Sequence, residues 1–252
     1  MRKTALITGA TSGIGLATAR KLGENNYDLI ITGRRKEKLA QLKQELLESF
    51  NIRVLALNFD VRSQDEVIKN LGSLDREWEN IDVLVNNAGL AVGLSHIDKG
   101  ETDDWERMID TNIKGLLYVT RVISPGMVKR GHGHILNIGS IAGRETYENG
   151  NVYCATKHAV EALSRSMRID LLGNGIKVSN IAPGLVETEF SEVRFKGDKQ
   201  KAEKPYKGMK PLDGEDVADV IYYCLSLPDH VNIDDVLIMP SAQATATMVQ
   251  RD

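Results

Sequence analysis

A single-domain α/β protein is what this 252-residue sequence predicts: a doubly wound parallel sheet of about seven strands, with helices on both faces. Three observations predict it. Short apolar runs alternate with longer helix-like segments through six or seven rounds, the order that builds a parallel sheet through right-handed crossovers. Runs such as VLALNF at 54–59 and DVLV at 82–85 are almost wholly apolar, as strands buried on both faces must be. No Pro/Ser-rich linker, repeat or low-complexity stretch divides the chain.

The elements follow in order. Ala5-Leu6-Ile7 reads as the first strand, and 14–22 as a helix with apolar residues three and four apart. DLIIT at 28–32 is the second strand, a charged helix covers 36–49, and RVLALNF at 53–59 is the third strand. A helix over 64–78 leads to IDVLVNN at 81–87, and a long helix over 103–129 leads to HILNIGS at 134–140. Another helix over 152–172 precedes IKVSNIA at 176–182. A helix over 214–227 and VLIMP at 236–240 complete the pattern. The segment 191–211 is basic and poor in apolar residues; it reads as an insertion that closes over the site.

Composition excludes several classes. The 35 acidic residues outnumber the 32 basic ones, so no broad basic footprint favours nucleic acid. The apolar runs fall far short of the roughly 20 residues a membrane span needs. Cys154 and Cys224 are the only cysteines and outline neither a disulfide framework nor a zinc site. His132 and His134 lack a third ligand and read as a turn, so no metal site is expected. A cytoplasmic setting is the expectation.

Directly after the first strand stands Thr8-Gly9-Ala10-Thr11-Ser12-Gly13-Ile14-Gly15. Glycines there permit a tight turn and close approach of a pyrophosphate, which the N–H groups of the next helix would receive. The spacing is TGxxxGxG. An NAD site would place an acid near the end of the second strand. Here Gly33 is followed by Arg34 and Arg35, with no acid until Glu37. Guanidinium forks suit a 2′-phosphate, so NADP(H) is the expected cofactor.

TGATSGIG at 8–15, Asn86-Asn87-Ala88-Gly89, Asn112, Ser140, Tyr153-Cys154-Ala155-Thr156-Lys157 and Pro183-Gly184 appear in that order. In spacing and over essentially the whole chain, the set resembles the short-chain dehydrogenase/reductases, which implies a Rossmann-type fold. GLVETEFS at 184–191 and VRFKGD at 193–198 resemble, more narrowly, the NADP-dependent 3-hydroxy acid dehydrogenases, which act on serine, L-allo-threonine and related acids.

The residue types support that chemistry. Tyr153 and Lys157 are four apart and share a helix face. A lysine ammonium beside a phenol favours the phenolate, which suits Tyr153 to act as general acid in reduction and general base in oxidation. Ser140, ending its strand, is placed to hydrogen-bond the substrate oxygen. The resemblance further implies that Lys157 binds the nicotinamide ribose and that Asn112 holds a water for proton relay. It puts Asp60 and Val61 at the adenine, Asn87, Ala88 and Gly89 beside the adenosine ribose, and Pro183, Gly184, Val186 and Thr188 near the carboxamide.

A hydroxy acid also needs a cation for its carboxylate; the candidates are Arg194, Lys196 and Arg144, with Arg194 preferred because it lies in VRFKGD. Two alternatives stay open. A 3-oxoacyl-carrier-protein reductase or general carbonyl reductase would keep the mechanism, but the stretch 231–240 lacks the glycine-rich ending of the former. A non-catalytic NADP(H) sensor would more often have lost Tyr153 or Lys157. The resemblance implies a homotetramer, with the helices over 103–129 and 152–172 at its interfaces; apolar positions such as Ala159, Leu163 and Met167 suit an interface and the core equally.

Overall fold

Each apolar run meets a Gly, Asn or Pro at its end or within two residues beyond it, and these residues stop it as a short strand. The computed structural model describes residues 2–252. Its elements are β1 (Thr4–Ile7), α1 (Gly13–Glu24), β2 (Asp28–Gly33), α2 (Lys36–Ser49), β3 (Val54–Asn58), α3 (Gln64–Leu71) and β4 (Val83–Asn86). Then come α4 (Thr102–Ile109), α5 (Leu116–Arg130), β5 (Gly133–Ile138), α6 (Asn151–Leu171), β6 (Ile176–Pro183), α7 (Phe190–Arg194), α8 (Lys199–Glu203), α9 (Gly214–Ser226) and β7 (Asp235–Ile238).

All seven strands are parallel, in the order β3-β2-β1-β4-β5-β6-β7. The chain starts mid-sheet, runs outward to β3, then returns to lay β4 on the other side of β1. That reversal opens a crevice at the carboxyl ends of β1 and β4, where open α/β sheets bind ligands. Alternate residues of each strand feed opposite cores. Ile7, Ile31, Val85 and Leu136 pack with α1, α2 and α9, whereas Leu6, Ile30, Leu84 and Ile135 pack with α3, α5 and α6.

Several expectations are corrected. The helix over 64–78 stops at Leu71, where Gly72 caps it; Trp78 lies beyond it in a turn, buried under the Arg53 guanidinium. The helix over 103–129 is three pieces, because a π-helical turn at Asp110–Gly115 separates α4 from α5. β3 is an edge strand with only Val54 buried, so its apolar sequence reflects packing on one side. Of the positions open to core or interface, Leu163 and Met167 take the core, beside Val160. The segment 191–211 holds α7 and α8, and Ser191 and Ala202 within it are buried. Among the described residues, no helix is long and apolar enough to cross a membrane.

Candidate active site

A cavity of about 520 Å³ opens at the carboxyl ends of β1, β4, β5 and β6. Its floor is the glycine loop. Gly9 and Gly13 adopt φ of +68° and +52°, a left-handed backbone that L side chains rarely hold. The Thr8 hydroxyl accepts from the N–H groups of Asn87 and Ala88, both at 3.0 Å, while the Asn87 amide donates to the carbonyls of Thr8 and Gly9. This cross-brace ties the loop to the end of β4. α1 begins with no side-chain cap and no acid in its first turn, so its amino end is open to an anion.

Thr11, Ser12, Gly13 and Ile14 line the cavity with Gly9, but Ala10 and Gly15 do not. Ala10 is fully buried and its N–H is spent on Thr32 O. Gly15 acts from behind the loop: a Cβ there would lie 2.4 Å from both the Asn87 amide nitrogen and Gly9 O, so only glycine lets α1 approach the brace.

Beyond β2, Arg35 donates to Thr11 Oγ1 and Ser12 Oγ and pairs with Glu189 at 2.5 Å; Lys38 reaches the same carboxylate at 2.6 Å. Arg34 is the freer cation, half exposed and 3.6 Å from Asp60. Asp60 Oδ2 accepts from both Nε and Nη2 of Arg62, and its Oδ1 accepts from Arg62 N. Burial would raise its carboxyl, but hydrogen bonds from Arg62 and the charge of Arg34 hold it below the usual range. Arg34, Arg35, Lys38 and Arg62 thus face two carboxylates, Asp60 and Glu189. The surplus of positive charge, the open α1 terminus and the glycine cradle fit a dinucleotide carrying a 2′-phosphate. Val61, Asn87, Ala88 and Gly89 line the same end of the cavity.

At the other end, β5 delivers Ser140 opposite the first turns of α6. Tyr153 and Lys157 line the cavity, 8% and 7% exposed. The Lys157 ammonium donates to Ile138 O at 2.8 Å and lies 5.9 Å from the Tyr153 ring centroid. Burial lowers the Lys157 pKa to about 8. Burial, joined by Tyr147, pushes the Tyr153 phenol above its ordinary 10, while Ser140 and the Arg194 guanidinium act in the opposite sense. Arg194, which the sequence did not connect with this phenol, therefore joins Lys157 as a cation beside Tyr153.

Asn112 does not line the cavity. It sits in the π-helical turn, 2% exposed, and its amide grips Leu90 N and O at 2.8 and 2.9 Å and Thr156 Oγ1 at 3.0 Å. Its side chain fastens the loop after β4 to α6.

Pro183, Gly184, Val186 and Thr188 form the wall after β6. The Thr188 methyl rests against Gly13, whose Cβ position is 3.0 Å away. Of the three candidate carboxylate ligands, Arg144 is paired with Asp235, and Lys196 with Asp104 at 2.8 Å. Arg194 alone remains in the cavity. Its Nη2 donates to Tyr147 Oη, its guanidinium stacks 5.4 and 5.2 Å from the Tyr147 and Tyr153 rings, and its buried Nε donates to nothing among the described residues. Sequence reasoning missed Thr8, Tyr147, Glu189 and Phe190. Thr8 stood within the glycine motif; the other three carried no spacing signal.

A family model described as short chain dehydrogenase matches residues 3–199. The chain belongs to the short-chain dehydrogenase family. This dehydrogenase is 50% identical over 242 residues to the NADP-dependent 3-hydroxy acid dehydrogenase of Salmonella typhi, covering 96% of each chain. It is 43% identical over 250 residues to that of Schizosaccharomyces pombe, 99% of this chain and 96% of the relative. Among solved structures it resembles the closed form of serine dehydrogenase complexed with NADP+, with a TM-score of 0.92 and 49% identity over 99% and 100% of the two chains. Serine dehydrogenase from Escherichia coli gives 0.82 and 43%, over 96% and 99%.

Proposed function

We propose that this short-chain dehydrogenase transfers a hydride between NADP(H) and a 3-hydroxy acid of the serine or L-allo-threonine type, or the corresponding 3-oxo acid or semialdehyde. The observation that carries the substrate class is Arg194: a guanidinium facing the cavity beside Tyr153, with an unused buried N–H and no carboxylate partner among the described residues. A substrate carboxylate completes it. The relatives named for 3-hydroxy acids and serine support the same reading.

When bound, NADP supplies the hydride acceptor at its nicotinamide. The protein does the rest. Arg194 binds the carboxylate and so orients the 3-hydroxyl toward Tyr153. Ser140 hydrogen-bonds that oxygen, and Tyr153 takes its proton in oxidation or returns it in reduction. Lys157, anchored on Ile138 O, holds the ribose side and places positive charge beside the phenol. Asn112, in the Asp110–Gly115 turn, holds a water that passes the proton outward from Lys157. The segment 191–211 serves as the lid, since Ser191, Arg194 and Tyr206 all line the cavity.

A homotetramer is part of the proposal; Ile169 and Leu172, 76% and 74% exposed at the end of α6, offer apolar surface for it. The cytoplasm suits two buried, unpaired cysteines.

Initial rates with NADP and NAD against 3-hydroxy acids and neutral alcohols, followed at the nicotinamide absorbance band, test the function. Turnover of the acids with NADP preferred is expected. Activity confined to neutral alcohols or acyl thioesters contradicts the substrate class.

A further inference from the structure

Lys196 stands two residues beyond Arg194 and takes no part in lining the cavity. Its ammonium is 2.8 Å from Asp104, a carboxylate buried in the first turn of α4 and 6% exposed. Arg107 is the next cation, at 3.9 Å. Lys196 holds φ at +52°, a backbone conformation that non-glycine residues keep only where their surroundings impose it.

The same carboxylate governs a second attachment. Gly93 N donates to Arg194 O at 3.0 Å. Gly93 is itself left-handed, at +72°, and a Cβ there would lie 2.6 Å from Asp104 Oδ2. Asp104 therefore packs against Gly93, which holds the backbone of Arg194, and also pairs with Lys196 just beyond. α7 is five residues long, too short to fix its own position by helix formation. Tertiary contacts must place it, and these two fasten its carboxyl end to the loop after β4 and to the first turn of α4.

We propose that Asp104 is a positioning residue for substrate recognition: its ion pair with Lys196 and its packing against Gly93 hold the end of α7 where the Arg194 guanidinium faces the substrate carboxylate. This rests on the reading of Arg194 given above. Asp104 does not line the cavity, so it governs how well an acid is held and leaves the hydride and proton steps alone. The buried carboxylate is paired with a lysine that is itself half exposed and outside the cavity, which makes the pair separable from the catalytic groups.

The test is steady-state kinetics of K196M, K196R, D104N and the K196M/D104N double variant, with R194M beside them. Each is assayed on a 3-hydroxy acid and on a neutral alcohol, and NADPH affinity is read by nucleotide fluorescence. Lys196 is half exposed, so K196M keeps the fold even if D104N does not. K196M is expected to raise KM for the acid about fivefold or more while changing kcat, the neutral-alcohol KM and NADPH affinity less than about twofold. K196R should restore the acid KM, and the double variant should be no worse than the poorer single one, because the two residues act as a unit. If R194M raises the acid KM but K196M does not, the pair does not position Arg194 and the inference falls alone. If R194M leaves the acid KM unchanged, the reading of Arg194 falls and takes the inference with it.

Discussion

The Arg194 guanidinium lies 5.2 Å from the centroid of the Tyr153 ring. One cation thus serves two ends of the reaction. It offers its unused N–H to an anion and at the same time eases ionisation of a phenol whose burial opposes charge. Phe190, on the same short helix, meets the Tyr153 ring with centroids 5.7 Å apart and planes tilted by 59°.

A pH profile separates the two effects. Oxidation needs Tyr153 ionised, so its rate should rise with pH, and reduction, which needs the proton, should fall along the same limb. Burial holds the phenol above its ordinary value and Arg194 pulls it down. R194M should therefore move that limb to higher pH with a neutral alcohol as substrate, and R194K should return it. An unmoved limb in R194M would show that Arg194 has no hold on Tyr153.

The arginines at the end of β2 divide their duties. Arg34 is half exposed and loosely paired, whereas Arg35 braces Thr11 and Ser12. R34A should weaken NADP by about tenfold or more, the loss of a charged hydrogen bond, with little change for NAD. That advantage of NADP should shrink with added salt. R35A should weaken both cofactors, since the loop loses its brace. Initial-rate KM values for the two nucleotides decide this; an R34A enzyme that loses NADP and NAD equally contradicts the assignment.

Much of this architecture is legible in the sequence. Strand and helix alternation is local, and so the sheet, the glycine loop and the Tyr153–Lys157 pair can be placed from spacing alone. Boundaries fail where context overrides pattern: a helix continuing past Leu71 is plausible until Gly72, and β3 reads as central although it lies at the edge. Tyr147, Glu189 and Asp104 are illegible because their meaning comes from partners far along the chain. Tyr147 meets Arg194, Glu189 meets Arg35, and Asp104 meets Lys196. Asn112 stands out in the sequence, but its grip on Leu90 depends on a π-helical turn that no apolar period encodes.

That grip has a stability cost when lost. N112L leaves Leu90 N and O buried without their partner, at about 2–6 kcal/mol for two orphaned groups. Thermal denaturation should show Tm lower by several degrees. An N112L protein with unchanged Tm and lost activity would assign Asn112 to chemistry alone.

The central claim is that Arg194 reads a carboxylate. The most direct measurement is KM of wild type and R194M for a 3-hydroxy acid and for the neutral alcohol of matching skeleton, each at the plateau of its own pH profile. The account predicts a rise of roughly 10- to 100-fold for the acid, the worth of a charged hydrogen-bonded contact, and less than about threefold for the alcohol. Equal changes for both substrates would contradict it.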